Sequence, residues 1–212
     1  MSFDQKAAFL AGEGDQWFYR NNLSSKHEGF QNDLIISQTS SLPIPKDSST
    51  SILEIGCGPG DRLYELNNKF GWSVYGIDPS AESIKVCNSK GIKGYVGTAD
   101  TLPFPDSSFD IIIFGFCLYL CDRNDLFKIA YEADRCLKPS SWLSILDFWS
   151  GHHIKNEYHH LVGIHSYKMN YPAMFSWHPG YVIIDHAIRE HKSLSYTDDH
   201  NMWVSSTLLR RS

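Results

Sequence analysis

At 212 residues, with 42% hydrophobic and 20% charged residues, the chain has the proportions of one globular domain able to bury a substantial core. A net charge of −5 argues against nucleic acid as the main partner, because proteins that bind that polyanion carry a basic face. No apolar run reaches membrane-spanning length, and Met1 to Gly14 lacks the basic start and apolar core of a signal peptide. The expectation is a cytoplasmic protein with no nucleic-acid or membrane partner, a monomer or homodimer.

Residues 1–50 read as an N-terminal helical cap. Phe3, Ala7 and Leu10 fall at helical spacing, the cluster Trp17-Phe18-Tyr19-Arg20 follows, and a second amphipathic pattern carries Phe30, Leu34 and Ile35. The Ser- and Pro-rich stretch 40–50 then connects to the main domain, 51–212.

There Ile52-Leu53-Glu54-Ile55 runs into Gly56-Cys57-Gly58-Pro59-Gly60-Asp61, a buried strand entering a glycine turn. In an open α/β sheet, small molecules bind at the carboxyl end of such a strand, where side chains would hold a ligand off the backbone. The spacing is not G-x-G-x-x-G, since Asp61 stands where that pattern wants its third glycine. A carboxylate there would repel a pyrophosphate and suit a cationic ligand.

A second strand, Ser73 to Ile77, ends in Asp78, 22 residues beyond Gly56, the distance at which an acidic side chain grips a ribose diol. Asp78 also fits a helix N-cap, because Pro79-Ser80 can open the next helix; both roles can hold together. The alternation continues: helices 61–69 and 80–89, strands 93–97 and 109–115, helix 124–136 and strand 142–148. Leu126, Ile129, Ala130 and Ala133 share one face of the last helix, which Leu137-Lys138-Pro139 ends. Two late strands, 183–196 and 202–210, joined by a polar turn, read as a closing hairpin. The fold class is α/β, a single doubly wound Rossmann-like domain with a mostly parallel seven-stranded sheet.

The run Leu53-Glu54-Ile55-Gly56-Cys57-Gly58-Pro59-Gly60, Asp78 after the second strand, and Ala99-Asp100-Thr101 before the fourth together resemble the class I S-adenosylmethionine (SAM)-dependent methyltransferases, type 11-like. The resemblance covers Ser51 to Phe148. It implies SAM as cofactor and S-adenosylhomocysteine as product. It also implies cofactor contacts from Glu54, Gly56, Cys57, Gly58, Gly60, Asp78, Pro79 and Ser80, with Asp100 accepting from the adenine amine between Ala99 and Thr101. Gly115, Phe116 and Tyr119 would line the sulfonium side, where an aromatic face attracts a cation. N-terminal helices often close over the cofactor in small members of the family, and Arg20, with its planar fork, would suit its carboxylate. Ser140-Ser141 stands where the family usually carries a glycine pair.

Transfer from a sulfonium mainly requires placement of the acceptor, and a hydroxyl acceptor also benefits from a base, for which histidine is suited near neutral pH. Nine of the ten histidines follow residue 151, in the region (about 149–182) where this family builds its acceptor pocket. His152, His153, His178 and Tyr167 are the catalytic candidates, in a set with His159, His160 and His165; any single histidine of that set also reads as structural. No H-E-x-x-H or thiolate cluster supports a metal, and the five scattered cysteines read as reduced thiols. Phe114 to Tyr119 lacks the polar, proline-rich signature of base N-methylating enzymes. The reading is methyl transfer to a small molecule, at oxygen before nitrogen. A noncatalytic SAM-fold partner subunit and a nicotinamide oxidoreductase are the alternatives, the second disfavoured by the glycine spacing.

Overall fold

The computed structural model describes residues 4–22 and 33–212, so Phe3 and Phe30 lie outside the described residues. Five parallel strands, β1 (Ser51–Ile55), β2 (Ser73–Asp78), β3 (Lys93–Val96), β4 (Phe109–Gly115) and β5 (Leu137–Phe148), are extended by two antiparallel ones, β8 (Tyr181–Glu190) and β9 (Trp203–Arg211). The order is β3-β2-β1-β4-β5-β9-β8, with β1 in the middle of the five parallel strands and registered Ile52 to Val74 on one side and Leu53 to Ile112 on the other. A ribbon of β6 (Ile154–Glu157) and β7 (His165–Lys168) stands apart in the segment after β5.

Period-two alternation divides the apolar side chains between the two faces. Leu53, Ile55, Ile112, Phe114, Ile145 and Leu209 face α6 (Leu126–Cys136) and α7 (Ala173–Ser176). Ile52, Ile111, Ile113, Trp142 and Leu208 pack with Ile35 of α3 (Leu34–Ser40) and Leu63 and Leu66 of α4 (Asp61–Phe70). On α5 (Ala81–Ser89), Ser80 caps the first turn by accepting the Ser83 N–H.

Three boundaries differ from the sequence reading. β5 begins at Leu137, with no turn before Trp142; the direction change is taken inside the strand at Ser140, whose φ is +54°. That is the left-handed conformation for which glycine would be the ordinary choice. β8 ends at Glu190 and does not run to 196, because Glu190 closes a turn: its N–H donates to Ser195 O and its carboxylate accepts the Ser193 N–H. The N-terminal helix is broken into α1 (Gln5–Ala8), a π-helical turn over Phe9–Glu13 and α2 (Gly14–Asn22), with Gly12 at φ +142°. Gly14 is the point of closest approach: a Cβ there would lie 3.1 Å from Ser80 N and 3.2 Å from Pro79 C.

Candidate cofactor site

At the carboxyl ends of β1, β2 and β4 lies a cavity of about 370 Å³. Ligand pockets commonly occupy roughly 300–1,000 Å³. Its floor is the glycine turn. Gly56, Gly58 and Gly60 all have positive φ (+74°, +51°, +76°), but they serve different ends. A Cβ on Gly56 would sit 2.4 Å from Cys117 Cβ, and one on Gly60 would sit 2.7 Å from Cys87 Sγ, so those two let elements pack. A Cβ on Gly58 would meet nothing within 4 Å, so the backbone there is bare toward open space.

Three acids surround that space. Asp78 is half-buried and accepts the N–H groups of Gly58 and Ser80, both at 2.9 Å. Burial outweighs those bonds and raises it to about 6. Its two oxygens keep lone pairs for a diol; the Ser80 bond lies in the turn that opens α5, whose N-cap is Ser80 and not Asp78.

Glu54 is fully buried, and burial raises it to about 7 despite the Arg62 guanidinium bound to its Oε1. Its Oε2 has no hydrogen-bond partner among the described residues, although the side chain lines the cavity. An orphaned buried carboxylate oxygen is costly unless a donor arrives, and an ammonium is the donor that also answers its charge. Arg62 is held by Asp33 as well, 2.9 Å away, and Gly115 leaves room for the pair: a Cβ there would lie 2.4 Å from Arg62 Nη1.

Asp100 is engaged by the chain itself. Burial would raise it, but bonds from Lys6 Nζ (2.9 Å), Thr98 (2.7 Å) and Lys128 (3.3 Å) prevail and hold it at about 2. Lys6 also bridges to Asp125 at 3.0 Å. Apolar Ile77, Pro79, Ala99, Leu120 and Ile129 form a slot beside it, and Phe9 and Trp17 close the side toward the N-terminus.

The cavity therefore collects Glu54, Gly56, Cys57, Gly58, Asp78, Pro79, Ala99, Asp100, Gly115 and Phe116 from the residues singled out in the sequence. Gly60, Ser80 and Thr101 stand behind the wall. Asp61 lines it, but its carboxylate is taken by Lys90. Arg20 lies elsewhere: its guanidinium binds Glu13 and the Tyr158 hydroxyl, the latter at 2.9 Å, and does not line the cavity. Tyr119 faces a second depression. Phe116 has φ +56°, a conformation rare for an aromatic residue, and packs its ring 5.4 Å from Phe148.

The catalytic candidates are scattered. His152 and His153 are exposed in the segment after β5. His178 is exposed at the turn before β8, where its Nδ1 accepts the Gly180 N–H. None of these three lines either hollow. Tyr167 is buried at the second depression, with the Arg123 guanidinium 4.2 Å above its ring. Lys6, Arg62 and Asp33 are site residues that the sequence reading missed. A buried Glu54 should have demanded a cation within the following turn, and Arg62 is that cation; nothing local announces Lys6.

The set fits SAM: bare backbone at Gly58, an unpartnered buried carboxylate oxygen at Glu54, a diol acceptor at Asp78 and an apolar slot for a base. Residues 53–145 match the family model described as a methyltransferase domain. Over those residues the chain is similar to the class I SAM-dependent methyltransferases. It is 36% identical over 111 residues to 2-phytyl-1,4-beta-naphthoquinone methyltransferase, chloroplastic, of Arabidopsis thaliana, spanning 46% of this chain and 41% of that protein. It is 33% identical over 101 residues to a fatty-acid O-methyltransferase of Mycolicibacterium smegmatis, spanning 45% of this chain and 36% of that protein. The match thus spans less than half the length of either relative. In fold the chain is similar to 1,6-didemethyltoxoflavin-N1-methyltransferase of Burkholderia thailandensis, solved with S-adenosylhomocysteine, with a TM-score of 0.72 at 13% identity over 97% of this chain and 88% of that one. Among the described residues no group of three or more His, Cys, Asp or Glu side chains is placed to hold a metal, and no helix is long and apolar enough to cross a membrane.

Proposed function

We propose that this methyltransferase domain moves a methyl group from SAM to a small-molecule acceptor, at oxygen in preference to nitrogen. The observation that carries the reading is the open space at Gly58 between the buried Glu54 and the half-buried Asp78. Glu54 Oε2 would receive the cofactor's ammonium, Asp78 its ribose diol, and the slot at Ala99 and Ile129 its base. The bound cofactor supplies a methyl on a cationic sulfur; this chain supplies the placement that turns an encounter into a displacement.

In this reading residues 1–50 act as a cap, a role supported by Lys6, Phe9 and Trp17 in the cavity wall, and 149–182 shape the acceptor side. Preference for oxygen is supported by the histidines and tyrosines of that region, of which His159, His160 and Tyr167 stand at the second depression. The free thiols Cys57, Cys87, Cys117, Cys121 and Cys136 support a reducing compartment such as the cytosol.

Calorimetry with SAM tests the cofactor, and a mass gain of about 14 daltons in metabolite extracts incubated with protein and SAM tests the transfer. Absence of SAM binding would overturn the reading.

A further inference from the structure

The cofactor cavity and the second depression are neighbours, divided by paired side chains. Trp17 lines the first and stands beside Tyr119, which lines the second. Phe116 lines the first and packs against Phe148, which lines the second. The depression, about 600 Å³, has an aromatic back in Tyr119 and Phe148, whose rings meet edge to face at 72° with centroids 5.0 Å apart, and a rim on the β6–β7 ribbon.

Its charge runs against that of the whole chain. Lys155 and Lys168 face one acid, Glu157, so the lining is net positive in a protein of net charge −5. Lys168 is half-buried; its ammonium donates to the Asn201 carbonyl and lies 5.5 Å over the Phe148 ring. Among the described residues no carboxylate stands within 4.0 Å of it, whereas Lys6, Arg62, Lys90 and Arg135 are all ion-paired. Burial lowers its pKa, and Asp199 opposes this only at longer range. A partly desolvated ammonium without a counter-ion gains most from an anion brought to it.

Building on the methyl-transfer reading, we infer that the second depression receives the acceptor, and that the acceptor is a planar organic acid whose anionic group is held by Lys168 against the Tyr119–Phe148 wall. The ring of such an acid lies on the face of one of these two rings while its charge meets the ammonium at the edge. Lys168 is here a specificity-determining contact that takes no proton.

The test uses two probes with one ring system, 2-naphthoate and 2-naphthalenemethanol, titrated calorimetrically into the full chain with S-adenosylhomocysteine present. Wild type should bind the acid about tenfold to a hundredfold more tightly than the alcohol, the range of one charge-assisted hydrogen bond. Lys168→Met should erase that preference while leaving the alcohol's affinity unchanged, and Lys168→Arg should keep it. Equal binding of both probes by wild type, or an acid preference that survives Lys168→Met, would overturn the proposal. S-adenosylhomocysteine affinity, measured alone, separates the two readings: if it is absent while the acid preference holds, methyl transfer fails and the Lys168 anion site stands.

Discussion

Replacing Gly58 and Gly56 in turn by alanine separates a glycine kept for a ligand from one kept for the fold. In Gly58→Ala the new methyl meets no protein atom within 4 Å, so the folding cost is only that of holding a non-glycine residue at φ +51°. That cost is about 1–2 kcal/mol, or roughly 2–8 °C in Tm for a chain of this length. The methyl does, however, occupy space against which the cofactor would lie. Overpacking of this kind costs about 1–3 kcal/mol, a roughly 5- to 150-fold loss of affinity. In Gly56→Ala the same backbone cost is joined by a Cβ only 2.4 Å from Cys117 Cβ, for a combined penalty of about 2–5 kcal/mol. Thermal melts with and without SAM, together with calorimetry, read both quantities. Gly58→Ala should melt near wild type yet bind SAM poorly, and Gly56→Ala should melt far lower. Wild-type SAM affinity in a folded Gly58→Ala protein would refute the placement of the ligand over this turn.

Because burial raises Asp78 to about 6 and Glu54 to about 7, the folded chain holds both protons more tightly than the unfolded chain does. Their contribution to stability is full below about pH 4 and is lost as pH rises through 6 to 7; cofactor affinity, if it requires the ionised acids, runs the opposite way and should be at least about tenfold higher near pH 7.5 than near pH 5.5, and a flat calorimetric profile would remove both carboxylates from the contact. Arg62→Met leaves Glu54 buried beside Asp33 with no cation, which should destabilise the fold by about 3–5 kcal/mol near neutral pH and by less in acid, where Glu54 is protonated; denaturant titrations at two pH values check it. Ser140→Gly relieves the left-handed residue inside β5 and should raise Tm by roughly 2–3 °C, with SAM affinity unchanged because Ser140 does not line the cavity.

Much of the architecture was legible because it rests on local signals. Buried strands such as Ile111 to Phe114 read as unbroken apolar runs, the helices between them carry their own spacing, and the closely spaced glycines at 56, 58 and 60 mark positive φ. Less legible were features whose cause is distant in sequence. Ser140 adopts a glycine's conformation inside a continuous strand, held where the Arg210 guanidinium on β9 donates to its carbonyl. Tyr196 reads as strand from its neighbours, yet Glu190 turns the chain six residues earlier.

The same division runs through the site. Sequence alone determined the turn, its bare backbone and the acids at the strand tips, because a parallel sheet brings the carboxyl ends of β1, β2 and β4 to one edge whatever surrounds them. Only tertiary structure decided how each acid is spent. Asp100 is engaged by Lys6, 94 residues away, Glu54 keeps one oxygen free while Arg62 takes the other, and Arg20 turns to Glu13 and Tyr158. Counter-ions are chosen by proximity after folding, and proximity between distant segments leaves no periodic trace in the chain.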